Sequence, residues 1–109
     1  MSAFANTPEP PYYAVIFTSV RTDGDNGYAE MAEEMLRLAA EQLGYLGAES
    51  ARNEIGITIS YWQSLEAILN WKQNERHLIA QLRGKTEWYQ QFKIRICKVE
   101  RAYEFTENR

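Results

Sequence analysis

A chain of 109 residues has room for one domain, because domains commonly run to about 100–150 residues and a second one here would be too small to hold a core. Its 45% apolar and 25% charged residues are the proportions of a globular protein, which excludes a disordered chain and predicts folding without metals or disulfides. The net charge of −3 excludes the basic surface that nucleic acid requires, and a single cysteine excludes an intrachain disulfide.

Residues 1–11, with Pro8, Pro10 and Pro11, lack periodicity and predict an extended, partly mobile arm. They carry no basic segment and no apolar run, and nowhere does the chain approach the roughly 18 uninterrupted apolar residues of a membrane span, so cytoplasmic residence without membrane contact is expected. The domain proper is expected over 12–105, with 106–109 as a tail.

Tyr12 to Val20 is rich in aromatic and β-branched residues and predicts a strand, which ends in the turn-forming run Asp23-Gly24-Asp25-Asn26-Gly27. From Tyr28 to Gln42 the apolar positions Met31, Met35, Leu38 and Ala39 recur at helical steps, with acidic residues elsewhere on the wheel. Asn26 or Gly27 can cap this helix and Gly44 can stop it. Tyr45 to Arg52 and Ile55 to Trp62 predict a hairpin around Asn53-Glu54. Ser64 is placed to cap a second helix from Leu65 to about Leu82, which Asn74 can interrupt and Gly84 can terminate. The last strand is expected over Phe92 to Phe105, with Phe92, Ile94 and Ile96 on one face and Arg95, Cys97 and Val99 on the other.

Two β-α-β units joined by a hairpin give an α+β, ferredoxin-like split β-α-β fold with both helices on one side of an antiparallel sheet. The first strand is apolar in both phases: Tyr12, Ala14 and Ile16 on one side, Tyr13, Val15 and Phe17 on the other. Helices cover only one phase. The other predicts a homodimer through sheet faces, since a monomer rarely exposes an apolar patch of several hundred Å².

The run from Ile57 through Tyr61-Trp62-Gln63-Ser64-Leu65-Glu66-Ala67-Ile68-Leu69-Asn70-Trp71-Lys72, with Trp88-Tyr89 and Val99-Glu100-Arg101-Ala102-Tyr103-Glu104-Phe105, resembles the antibiotic-biosynthesis-monooxygenase family of dimeric αβ barrels. The resemblance covers roughly residues 12–105. It implies an aromatic or polycyclic small-molecule ligand held between helices and sheet, with Phe17, Tyr61, Trp71, Gln81, Trp88 and Arg95 as candidate lining residues. It also implies oxygenase chemistry, in one branch without any cofactor and in another by degrading haem. That haem branch carries an Asn on the first strand, a Trp on the second helix and a His some ten residues later. Here Trp71 matches, but Gln81 stands in the histidine's place and Tyr12 to Val20 contains no Asn. No cofactor is therefore expected, haem remaining the alternative, and a non-catalytic dimer with the same fold is the reading from a different class.

His77 is the only histidine and the one obvious base near neutral pH. On an unbroken wheel it falls far from the stripe of Leu65, Ile68, Ile79 and Leu82, as a surface residue would, unless a kink at Asn74 resets the angle. Trp71 sits at the stripe's edge, where a ring either packs the core or walls a pocket, and Tyr61, Trp62 and Trp88 supply burial before chemistry. Arg95, between Ile94 and Ile96, must reach solvent or a partner, either an acidic residue across the dimer or an anionic ligand group. Cys97 reads as a small buried hydrophobe. Zinc, phosphate-loop and catalytic-triad spacings are absent from the sequence.

Overall fold

The computed structural model describes residues 4–107, so the outermost three residues of the expected arm and the last two of the expected tail lie outside the described residues. The elements are β1 (Tyr12–Arg21), α1 (Tyr28–Ala40), β2 (Tyr45–Arg52), β3 (Gly56–Trp62), α2 (Leu65–Lys72), α3 (Glu75–Arg83), a π-helical turn (Gly84–Trp88) and β4 (Tyr89–Val99). The four strands form one antiparallel sheet in the order β2-β3-β1-β4. This is the expected α+β, ferredoxin-like arrangement.

Register fixes which residues share a face. Tyr13 stands opposite Trp62 and Lys98, Val15 opposite Ser60 and Ile96, and Phe17 opposite Thr58 and Ile94. This row faces the helices, because Ala39 of α1 and Ala67 and Ile68 of α2 form the core with Trp62, and Tyr13, Val15, Tyr45 and Trp71 pack against it. The alternate row holds Tyr12, Ala14, Ile16, Tyr61, Arg95 and Cys97 on the opposite face.

That opposite face is covered in part by the arm. The Glu49 carboxylate accepts from the Ala5 amide at 2.9 Å and from the Tyr61 hydroxyl at 2.7 Å, and Thr7 Oγ1 donates to the Tyr12 hydroxyl at 3.0 Å. The arm is thus tied across the sheet rather than loose, which sequence periodicity could not reveal because the ties are side-chain hydrogen bonds. Ile57 and Cys97 of this face are exposed. Cys97 therefore departs from the expected buried state: strand alternation puts it on the face that no helix covers.

Local chemistry sets the boundaries. Gly27 occupies the cap of α1 at φ 83° without a side chain to offer, and the Asp25 carboxylate accepts from the amides of Gly27 and Ala29 instead. Ser64 Oγ accepts from Ala67 N at 3.0 Å, as its position predicts. Ser64→Ala is expected to cost about 1 kcal/mol, read as a lower urea midpoint at unchanged slope.

Gly84 ends the α-helical stretch as the C-cap of α3, but without a left-handed turn. Its φ of −56° continues into the π turn, and a Cβ there would meet the Tyr89 ring at 3.1 Å, so close approach explains the glycine. β4 begins at Tyr89, earlier than the expected Phe92, and ends at Val99, which pairs with Tyr12. The partner strand stops there, so 100–107 continues outside any strand and exposed instead of extending the strand to Phe105. Among the described residues no helix is long and apolar enough to cross a membrane.

Candidate active site

The break between α2 and α3 builds the first half of the site. Asn74 caps α3, its Oδ1 accepting from Arg76 N at 3.0 Å and His77 N at 3.2 Å. Stopping α2 there frees the last carbonyls of that helix from their usual donors. The Trp71 carbonyl accepts from Asn74 N and from His77 Nδ1, both at 3.0 Å, and the Lys72 carbonyl accepts from Gln81 Nε2 at 3.0 Å. A carbonyl oxygen can only accept, so His77 Nδ1 carries the hydrogen and Nε2 keeps its lone pair.

The His77 ring lies nearly parallel to Trp71, centroids 4.4 Å apart at 12°, and Trp71 stacks offset on Trp62 at 6.2 Å and 26°. Trp62 is fully buried, with Tyr45 edge-on at 5.3 Å. Burial holds the His77 pKa below the ordinary histidine value, outweighing the Trp71 hydrogen bond that raises it. The imidazole is therefore neutral at neutral pH and suited to accept a proton.

A second aromatic group lies toward the other end of the same face. Phe17 meets Tyr89 at 5.3 Å and Phe92 at 5.4 Å, and Tyr28 meets Trp88 at 5.9 Å and Tyr89 at 5.8 Å, all edge-on. The Arg21 guanidinium lies 3.6 Å from the Tyr28 ring centre, and Trp88 Nε1 donates to the Asn26 carbonyl at 3.0 Å. Burial, and then the hydrogen bond with Tyr28, pushes the Tyr89 phenol up. On β4, Ile94 and Ile96 belong to the helix-facing row yet are 52% and 53% exposed. The helices leave this part of their own face uncovered.

Phe17, Trp71, His77, Gln81 and Trp88 all lie on the helix side. Tyr61 and Arg95 do not join them, for their register places them on the opposite face, Tyr61 opposite Ala14 and Arg95 opposite Ile16. There Tyr61 is pushed up to about 12 by burial and by its bond to Glu49. Gln81 is half-buried, with its amide engaged on Lys72. The sequence reading passed over Tyr28, Tyr89, Arg21 and Arg52. The signal available for Arg52 was its position opposite Gly56 at the end of the hairpin.

No family model matches the chain. The uncharacterized protein YqjZ of Bacillus subtilis strain 168 is 48% identical over 110 aligned residues, covering 99% of this chain and 96% of the relative. Among solved structures, the cofactor-independent oxygenase SnoaB of Streptomyces nogalater superposes with a TM-score of 0.73 at 8% identity, covering 85% of this chain and 97% of that one. A Nitrosomonas europaea protein assigned by name to the antibiotic biosynthesis monooxygenases gives 0.69 at 11% identity, with 84% and 92% covered. The chain belongs to the family of YqjZ, and its fold is that of the antibiotic-biosynthesis-monooxygenase proteins.

Proposed function

We propose that the protein is a cofactor-independent oxygenase of an aromatic or polycyclic small molecule, with His77 as the general base. The observation that carries this reading is the 3.0 Å contact of His77 Nδ1 with the Trp71 carbonyl, which in the neutral ring assigns the hydrogen to Nδ1 and leaves Nε2 as acceptor. The uncovered apolar surface at Ile94 and Ile96, on the same face as Phe17 and Phe92, supports a flat ligand bound there. SnoaB, with the same fold, supports an oxygenase without a cofactor.

In this mechanism His77 Nε2 takes a proton from an enolisable aromatic substrate. The resulting electron-rich anion reduces molecular oxygen, a methylene becomes a carbonyl containing one oxygen atom, and the second oxygen leaves as water with the two protons. Haem fits these residues poorly: where the haem-degrading branch has its histidine, this chain has Gln81, whose amide is held by the Lys72 carbonyl.

The working unit of this reading is a homodimer joined through the open sheet face, where Ile57 and Cys97 are exposed and Arg95 stands ready to meet an acidic residue of a second copy. Sedimentation at micromolar concentration is expected to give twice 12.7 kDa; a mass of 12.7 kDa would remove the dimer from the proposal.

The test of function uses oxygen uptake with anthrone, an enolisable polycyclic ketone, and tryptophan fluorescence for binding. Trp71→Phe keeps an aromatic body over Trp62 but shrinks the surface on which His77 rests. It is expected to cost about 1–3 kcal/mol of stability and to weaken anthrone binding several-fold. Lost stability with unchanged anthrone affinity, and no anthrone-dependent oxygen uptake by the unsubstituted protein, would move the chain to the non-catalytic reading.

A further inference from the structure

One end of the helix-facing side of the sheet carries two arginines, Arg52 and Arg21, that form no ion pair with an acidic residue among the described residues. Arg52, Gly56, Ser19 and Phe92 stand side by side across all four strands at this end. The Arg52 side chain runs over Gly56, where any Cβ would overlap its guanidinium, and donates to Ser19 Oγ on the next strand but one. Among the described residues Ser19 is the one buried polar residue of the sheet, 2% exposed. Its hydroxyl accepts from Arg52 and so keeps its own hydrogen to donate.

Both Arg52 and Arg21 lie close enough to act electrostatically on the Tyr89 hydroxyl. Arg21 spends Nε on the Trp88 carbonyl at 2.9 Å and a terminal nitrogen on the Gly24 carbonyl at 3.1 Å, so it is positioned by the loop and contributes chiefly charge. Arg52 has given one nitrogen to Ser19 and keeps the rest of its planar fork. Among the described residues the ion pairs are Arg37 with Glu41, Arg76 with Glu34 and Arg83 with Glu87, and neither Arg21 nor Arg52 takes part. Phe17 and Phe92 stand edge-on against Tyr89 beside this polar end.

We propose that Arg52, held across Gly56 onto Ser19 and backed by Arg21, is the anion-recognising end of the ligand site, so that the ligand is an aromatic compound bearing a negatively charged oxygen. This rests on the aromatic-ligand reading above and adds the ligand's charge and orientation. An anionic oxygen at Arg52 directs the ring system over Phe17 and Phe92 toward Ile94 and Ile96. A carboxylate and an ionised phenol share this chemistry, and a guanidinium fork recognises either through paired N–H donors.

The full chain is titrated with 2-naphthoate, with 2,4-dinitro-1-naphthol, which is ionised at neutral pH, and with the neutral naphthalene-2-methanol. At least one anionic probe is expected to bind ten-fold or more tightly than the neutral one, the preference shrinking as salt is raised. Which anion shows it identifies carboxylate or phenolate as the natural group. Arg52→Gln is expected to abolish the preference while leaving naphthalene-2-methanol within two-fold, and Arg52→Lys to restore part of it. Gly56→Ala, which pushes the guanidinium off Ser19, is expected to act like Arg52→Gln with an unchanged near-UV spectrum. Equal affinity for charged and neutral probes, or a preference that survives Arg52→Gln, overturns the anion site and leaves the aromatic pocket standing. If none of the three probes binds, both readings fall.

Discussion

Trp62→Ala is expected to lower stability by about 3–5 kcal/mol, a large share of the roughly 5–15 kcal/mol by which domains are stable. Trp62 is fully buried, sits among Ala39, Ala67 and Ile68, stacks with Trp71 and meets Tyr45 edge-on. Truncation removes a fully buried indole and leaves a cavity between sheet and helices that alanine neighbours cannot fill. Ser60 Oγ also loses the indole N–H that donates to it at 2.9 Å, and its hydroxyl can turn to another partner. The measurement is urea unfolding followed by far-UV circular dichroism. Since Trp71 rests on Trp62 and His77 on Trp71, ligand binding should weaken with it. A change below about 1 kcal/mol would mean that the stack collapses onto itself and that Trp62 does not anchor the core.

His77→Asn is expected to lower anthrone-dependent oxygen uptake by about 10²–10⁴-fold, the usual contribution of a positioned general base. An Asn amide nitrogen can take the place of Nδ1 as donor to the Trp71 carbonyl, so the break between α2 and α3 keeps its bracket while Nε2 is lost. The same variant has a signature in stability. With the folded pKa below the ordinary histidine value, the unfolded chain binds the proton more readily. The favourable contribution of neutral His77 is complete above about pH 6.5 and is lost as pH falls through the folded pKa. Midpoints measured between pH 7.5 and 5 should therefore drop in the unsubstituted protein and drop less in His77→Asn. Full oxygen uptake by the variant would dismiss His77 as the base, and parallel pH curves would dismiss its burial as the cause of the shift.

Much of the fold was legible because it follows from short-range rules. The two apolar phases of β1 showed that both sheet faces need cover, and Ser64 announced α2 through its cap. His77 shows where such rules stop. Its angle on a straight wheel argued for the surface, and the break at Asn74 turned it inward, where its ring stacks on Trp71. The family resemblance grouped Tyr61 and Arg95 with Phe17, while register separates them by the thickness of the sheet. Arg52 escaped notice because a guanidinium crossing a glycine onto another strand is a long-range event that no local pattern encodes.

The π turn from Gly84 to Trp88 bears on which changes of chain length the fold can absorb. A π turn closes a wider ring than an α turn and so stores one extra residue between helix and strand. Here that residue lets the chain leave α3 and still deliver Trp88 inward, with its carbonyl accepting from Thr22 N at 2.9 Å and from Arg21 Nε. Removing one residue from 84–88 would restore ordinary helical pitch, swing Trp88 away from Tyr28 and shift β4 by one position against β1. A one-step slip exchanges the two faces of a strand. The row of Phe92, Ile94 and Ile96 would then turn to the side of the arm, and Arg95 and Cys97 toward the helices. Homologous chains of different length should therefore place their insertions and deletions in the loop 22–27 and keep this five-residue turn intact.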